Sequence, residues 1–173
     1  MERRINQSVV KLIRGDIADL EVDAFVFDAR TDLKLGSGYG GAITQRGGPV
    51  VQKELDAIGS LKVGQVVVTG AGNMKAEHII HAVGPKFQEE DEDRKMREAV
   101  KNALIAADER GIRRVAFPPM GTGLYAFPLG KCAKLMFDVV KSYLENSSAI
   151  EEVVFCVRDT REYEPFEAEL SAH

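Results

Sequence analysis

The sequence predicts an α/β fold of three layers, a mixed, mostly parallel central sheet between helices. Two observations carry this. Six short runs rich in β-branched residues, at 9–13, 24–27, 66–69, 78–83, 114–117 and 153–157, are bounded by turn formers, as buried strands are. Between them lie stretches whose apolar residues recur at steps of three and four, the spacing of a helix with one buried face. Strands that alternate with helices pack best as a sheet with helices over it.

In chain order, VVKLI at 9–13 and AFVF at 24–27 are the first two strands, and a weak helical pattern runs over 41–58. VVVT at 66–69 and HIIHAV at 78–83 follow, with few intervening residues. The charged run QEEDEDRK after Lys86 reads as a solvated loop entering a helix over 93–110, whose start its acids favour. Met96, Ala99, Val100, Ala103, Leu104 and Ala107 form the apolar stripe of that helix, and Gly111 stops it. RVAF at 114–117 precedes a second helix over 131–146 with Leu135, Met136, Val139, Val140, Tyr143 and Leu144 on one side. The last strand is 153–157, and a short helix follows Asp159.

The chain has 173 residues, 45% hydrophobic and 29% charged, which suits one domain spanning 1–173 without repeat or linker. A net charge of -4 and a pI near 5.5 disfavour nucleic acid held by bulk electrostatics. Cys132 and Cys156 have neither the spacing of a zinc site nor that of a disulfide framework. The N-terminal stretch MERRINQSVVKLIRGD has no signal-peptide core, and no segment is long and apolar enough to span a membrane, so a cytoplasmic location is expected.

Ligands of open α/β sheets sit at the carboxyl ends of strands, and three segments occupy such places. They are RGDI at 14–17, LGSGYGG at 35–41 and GTGLYAF at 121–127. Glycine lets backbone N–H groups converge on an oxyanion, and two such loops facing each other suit a diphosphate. A tight turn explains either loop alone equally well. Gly36, Gly38 and Gly41 spell GxGxxG, but eight residues from Asp28 to Leu35 separate them from their strand, which weakens a dinucleotide reading. A P-loop fails at Tyr125 and Cys132, where glycine and Ser or Thr are required.

Taken in order, GDI at 15–17, VDAFVF at 22–27, GSGYGGAI at 36–43, VGQVVVTGAGNM at 63–74, IIHAVGP at 79–85 and AFPPMGTGLYAFP at 116–128 resemble a macro domain, the ADP-ribose-binding α/β fold. The resemblance covers nearly the whole chain and implies roles for its loops. Asp16 would accept the adenine amino group and Ile17 would pack on the base. Gly36, Ser37, Gly38, Tyr39 and Gly40 would face Gly121, Thr122, Gly123, Leu124 and Tyr125 across the diphosphate, with Phe127 beside the distal ribose. Arg158 falls near the position of an aromatic residue that stacks on adenine, and its guanidinium can stack likewise, or pair with Asp16 or Asp159.

Two departures bear on activity. The family's NAAN reads Phe27-Asp28-Ala29-Arg30, with Arg30 in place of the asparagine that addresses the distal ribose, and the aspartate of the hydrolases' glycine loop falls at Gly40. The favoured function is thus binding of ADP-ribose or a close derivative, free or on ADP-ribosylated macromolecules. The alternatives are hydrolysis of ADP-ribosyl or O-acetyl-ADP-ribose esters, binding of an adenylate or RNA end, and a macro domain with diminished ADP-ribose binding because the altered segment fills the pocket. No cofactor and no metal are expected. Asp28 and Asp32 could serve as a base from a shifted loop, but surface-turn roles fit them better. His78 and His81, on one strand, are expected to share a face, yet a metal would need a third ligand. Arg30→Asn with Gly40→Asp is expected to restore turnover if the backbone accepts a side chain at Gly40.

Overall fold

The computed structural model describes residues 1–121 and 127–172. Seven strands form one sheet: β1 (Glu2–Ile5), β2 (Ser8–Arg14), β3 (Ala24–Asp28), β4 (Val66–Gly70), β5 (His78–Ala82), β6 (Arg114–Phe117) and β7 (Glu152–Val157), in the order β1-β2-β7-β6-β3-β5-β4. The five strands from β2 to β5 in that order run parallel, and β1 and β4 close the edges antiparallel. The helices are α1 (Tyr39–Gly47), α2 (Val50–Ile58), α3 (Glu92–Glu109), α4 (Leu129–Leu144) and α5 (Thr160–Ser171), with a 3-10 turn at Ile17–Asp19.

Alternation along the strands builds two cores, one on each face. From β3, Ala24 and Val26 enter a core shared with α3, α4 and α5, while Phe25 and Phe27 join a second beneath α1 and α2. On β7, Val153, Phe155 and Val157 take the first side and Val154 and Cys156 the second. Burial on both faces is why these strands read as unbroken apolar runs. The same alternation corrects the histidines. His81 comes three positions after His78, an odd step, so it lies on the face of Ile79, under α1 and α2, and His78 on the opposite one.

The single helix expected over 41–58 is two. Gly48 turns the chain at φ 87 and Pro49 follows, breaking the pattern between α1 and α2. The break also lets residues 71–74 approach, where Asn73 N–H donates to the Gly47 carbonyl at 3.1 Å. A seventh strand adds to the six expected. β1 pairs with β2 through a two-residue turn in which Asn6 has φ 55. Of its four residues only Ile5 is buried, so it carries no strand pattern in sequence.

Because β2, β7, β6 and β3 are parallel neighbours, the segments that leave them meet at one rim.

Candidate functional site

At that rim lies a cleft of about 400 Å³, walled on three sides. The first wall begins where β2 ends. Asp16 caps the 3-10 turn by accepting the Ala18 N–H at 3.0 Å, and its second oxygen pairs with Arg46 of α1 at 2.9 Å. Ile17 and Ala18 thereby present their side chains to the cleft.

The second wall is the segment from β3 to α1. Gln52 of α2 clamps it, accepting the Leu35 N–H at 3.0 Å and donating to the Leu33 carbonyl at 3.1 Å. Leu33, with φ 56, is bent into the left-handed region and buried. Gly36 and Gly38 have φ values of 66 and 61, which glycine adopts without strain. Gly40 is a closer constraint. A Cβ there would lie 1.7 Å from the Leu35 carbonyl oxygen, so no side chain fits. The condition on which Gly40→Asp is expected to restore turnover is therefore not met, because the backbone does not accept a side chain.

Arg30 lines the cleft at its solvent side, its guanidinium 2.7 Å from Asp32. The Lys34 N–H, at 3.0 Å, and the Arg30 guanidinium hold the Asp32 carboxyl below the usual carboxylate range. The altered segment does not fill the pocket.

Asp28 closes the floor. The end of β3 carries its half-buried carboxyl to the Gly121 N–H, which donates to Oδ2 at 2.7 Å. Burial pushes the carboxyl up to about 6, with the Gly121 N–H acting in the opposite direction. Gly121 accepts the Phe127 N–H at 2.8 Å, and Phe127 packs edge-on against Phe87 and under the Lys131 ammonium, which is 5.2 Å from its ring centre. Phe127 is buried and is not among the described residues that line the cleft, and Pro118 and Pro119 line it next to this floor. Thr122, Gly123, Leu124 and Tyr125 lie outside the described residues.

The third wall is Cys156, Arg158 and Glu162. Burial pushes the Cys156 thiol up to about 12, so it stays protonated and is no nucleophile at neutral pH. Among the described residues Arg158 makes no direct ion pair with Asp16 or Asp159, although the Asp159 charge acts on it through space. Its partner is Glu162, a buried acid that accepts the Arg158 N–H at 2.8 Å and the guanidinium at 3.3 Å. Thus held, the guanidinium sits 5.7 Å from the Tyr39 ring centre, bridging α1 and the start of α5.

Eight sequence-expected residues line the cleft: Ile17, Arg30, Gly36, Ser37, Gly38, Tyr39, Gly40 and Arg158. Asp16 and Gly121 adjoin it through the contacts above. Sequence reasoning passed over Glu162, whose spacing from Asp159 matches a helix-capping pair, and set aside Asp28 as a turn residue. His81 lies under this face with Nε2 bonded to Thr69 Oγ1 at 2.9 Å, its pKa lowered to about 4 by burial. Among the described residues no group of three or more His, Cys, Asp or Glu is placed to hold a metal ion, and no helix is long and apolar enough to cross a membrane.

Comparison with known proteins agrees with this architecture. A family model described as Macro domain matches residues 28–136. The chain is 44% identical over 163 residues to a macro domain-containing protein of Caldanaerobacter subterraneus, covering 91% of this chain and 93% of the relative. It is 36% identical over 161 residues to O-acetyl-ADP-ribose deacetylase 1 of Pantoea vagans, covering 90% and 94%. Among solved structures, the Oceanobacillus iheyensis macrodomain with ADP superposes with a TM-score of 0.95 at 23% identity, over 99% of this chain and 95% of that one. The Trypanosoma brucei macrodomain in complex with ADP-ribose gives 0.86 at 26% identity, over 95% and 69%. A sheet ordered this way, its glycine-rich cleft and relatives matched along nine tenths of the sequence lead to one assignment: the chain belongs to the macro domain family.

Proposed function

We propose that the cleft binds ADP-ribose or a close derivative, including ADP-ribose carried on a macromolecule. The observation that carries this reading is the cleft itself. Its volume of about 400 Å³ lies within the range of small-ligand sites, and its lining combines the Gly36–Gly40 backbone with Pro118 and Pro119 after β6. In this reading Asp16 and Ile17 take the adenine, and Arg158, fixed by Glu162, stacks on it. The glycine backbones take the diphosphate, and the distal ribose lies toward Arg30 and Phe127. The macrodomain of Trypanosoma brucei in complex with ADP-ribose supports the ligand class by relationship. Two free cysteines, both buried, suit action in the reducing cytoplasm.

Calorimetric titration with ADP-ribose, AMP and a short poly(A) strand tests the proposal. ADP-ribose is expected to bind tightest, because AMP lacks the second phosphate and distal ribose. Equal affinity for AMP would overturn the diphosphate clamp, and preference for poly(A) would favour an RNA end. A second reading, hydrolysis of O-acetyl-ADP-ribose, is favoured by the relative of Pantoea vagans that is named for that reaction. Release of acetate from the ester, followed with the same preparation, separates enzyme from binder.

A further inference from the structure

Asp28 occupies an unusual place for a carboxylate in a site read as anion-binding. Its Oδ2 accepts the Gly121 N–H at 2.7 Å, which ties the end of β3 to the loop leaving β6, across 93 residues of sequence. Gly121 has little freedom to move away. It has φ 76, and a Cβ on it would fall 2.8 Å from Met96 Cε and 3.2 Å from Phe127 Cβ. Backbone N–H groups are what a glycine loop offers an anion, and here the first is already engaged by a negative charge.

A diphosphate entering the same cleft meets that carboxylate where protein has displaced much of the water, so repulsion is screened far less than at the surface. The cations of the cleft are committed elsewhere. Arg30, two residues along, is paired with Asp32, and Arg158, on the far wall, with Glu162. The charges that the neighbouring elements bring are already paired. α4 contributes Lys131, above the Phe127 ring and paired with Glu92 and Asp93 of α3, and Cys132, whose thiol burial pushes up to about 12; α3 also contributes the apolar Met96, and His81 of β5 lies on the opposite face of the sheet.

Resting on the diphosphate reading above, we propose that Asp28 is the positioning residue of the cleft and that the diphosphate binds together with one proton, taken up by Asp28. The protonated carboxyl still accepts the Gly121 N–H through its carbonyl oxygen, so Gly121 keeps its place. Its O–H becomes a donor to a ligand oxygen where the carboxylate could only repel one. Burial has already brought the group most of the way, to about 6 in the free protein. The ligand raises the bound-state value further. Affinity is therefore highest below about pH 6, falls as pH rises from there to the bound-state pKa, and is flat above it.

The test is calorimetry with ADP-ribose between about pH 5.5 and pH 8.5, in pairs of buffers that differ in ionisation enthalpy. Up to one proton taken up per ligand is expected, with affinity falling by as much as about tenfold per pH unit inside the window. Adenosine, which lacks the diphosphate, is expected to bind without that uptake. Asp28→Asn keeps an acceptor for Gly121 and removes the charge. It is expected to bind ADP-ribose with no pH slope and more tightly than the unmodified protein at the alkaline end. Absence of proton uptake by the unmodified protein, or a slope that survives in a folded Asp28→Asn, would overturn the proposal. The uptake needs no variant, so it decides even if Asp28→Asn melts early. If ADP-ribose fails to bind at every pH, the diphosphate reading falls, an outcome distinct from binding that ignores pH.

Discussion

Gly40→Ala adds one methyl group and should be among the most damaging small changes near the cleft. The new Cβ would lie 1.7 Å from the Leu35 oxygen, 2.5 Å from its carbonyl carbon and 3.1 Å from its Cα, all backbone atoms that no rotamer change can move. Either α1 or the Leu35 segment must shift by more than an ångström. Leu35 is 5% exposed and its N–H donates to Gln52, so the shift exposes a leucine and breaks a hydrogen bond. Together these cost about 3 kcal/mol, roughly 2 for the side chain and 1 for the bond. For a chain of this length that lowers Tm by about 6 to 12 °C. Gly130→Ala is the control. It lies in α4 with nothing near its Cβ, and should be neutral or stabilising by about 0.4 to 1 kcal/mol. Scanning calorimetry on both variants checks the difference. Equal melting temperatures, with unchanged ADP-ribose affinity for Gly40→Ala, would refute the close approach of Gly40 to Leu35.

Two further predictions concern charge. Asp16→Asn keeps an oxygen for the Ala18 N–H and loses only the Arg46 pair, which is about half exposed, so Tm should change by less than about 2 °C while ADP-ribose affinity falls about tenfold to a hundredfold. Full affinity would return Asp16 to a purely capping role. His81, held near 4 in the fold against 6.5 when unfolded, contributes stability that is fully present above about pH 6.5 and is lost as pH falls toward 4, by up to about 3 kcal/mol. Denaturant melts across that range should show the loss in the unmodified protein, and His81→Leu should flatten it. The raised pKa of Asp28 works in the opposite sense, since its partly desolvated carboxylate is relieved as pH falls through about 6, so the comparison is with the variant and not with a flat line.

The sheet was legible because its strands are buried on both faces, and Phe25 and Phe27 against Ala24 and Val26 already imply two cores. The glycine loops were legible as backbone that must approach something closely. What stayed hidden depends on register or on dihedral angles. β1 is a strand only because β2 offers it an edge; its own residues, three of four outside the core, say nothing. The break at Gly48 and Pro49 was written in the sequence but overridden by an apolar spacing that happens to continue through it. Asp28 looked like a turn residue until the pairing of β3 with β5 and β6 set it on the floor of the cleft beside Gly121. Gly40 looked replaceable until the turn from Leu35 brought that carbonyl against it.

If the distal ribose lies toward Arg30 as proposed, that residue separates two hydrolytic chemistries, because they place opposite charge in the transition state. Cleavage at the anomeric carbon of the distal ribose develops positive charge on the sugar, which a nearby guanidinium opposes. Attack of water on an acetyl ester develops negative charge on the carbonyl oxygen, which the same guanidinium stabilises. Arg30 is half exposed and shares its charge with Asp32 at 2.7 Å, so either effect is moderate, about tenfold in rate. With Gly40 closed to any carboxylate, the aspartate that the family resemblance would place in this loop has no route back into it, and cleavage of carboxylate-linked ADP-ribose is expected near background. Arg30→Ala should then slow acetate release from O-acetyl-ADP-ribose about tenfold, and should leave cleavage at the anomeric carbon unchanged or slightly faster. Acetate release that is indifferent to Arg30→Ala would remove the guanidinium from the chemistry. Robust anomeric cleavage that also survives Asp28→Ala and Asp32→Ala would show that the reaction runs on a group other than the carboxylates placed in or beside this cleft.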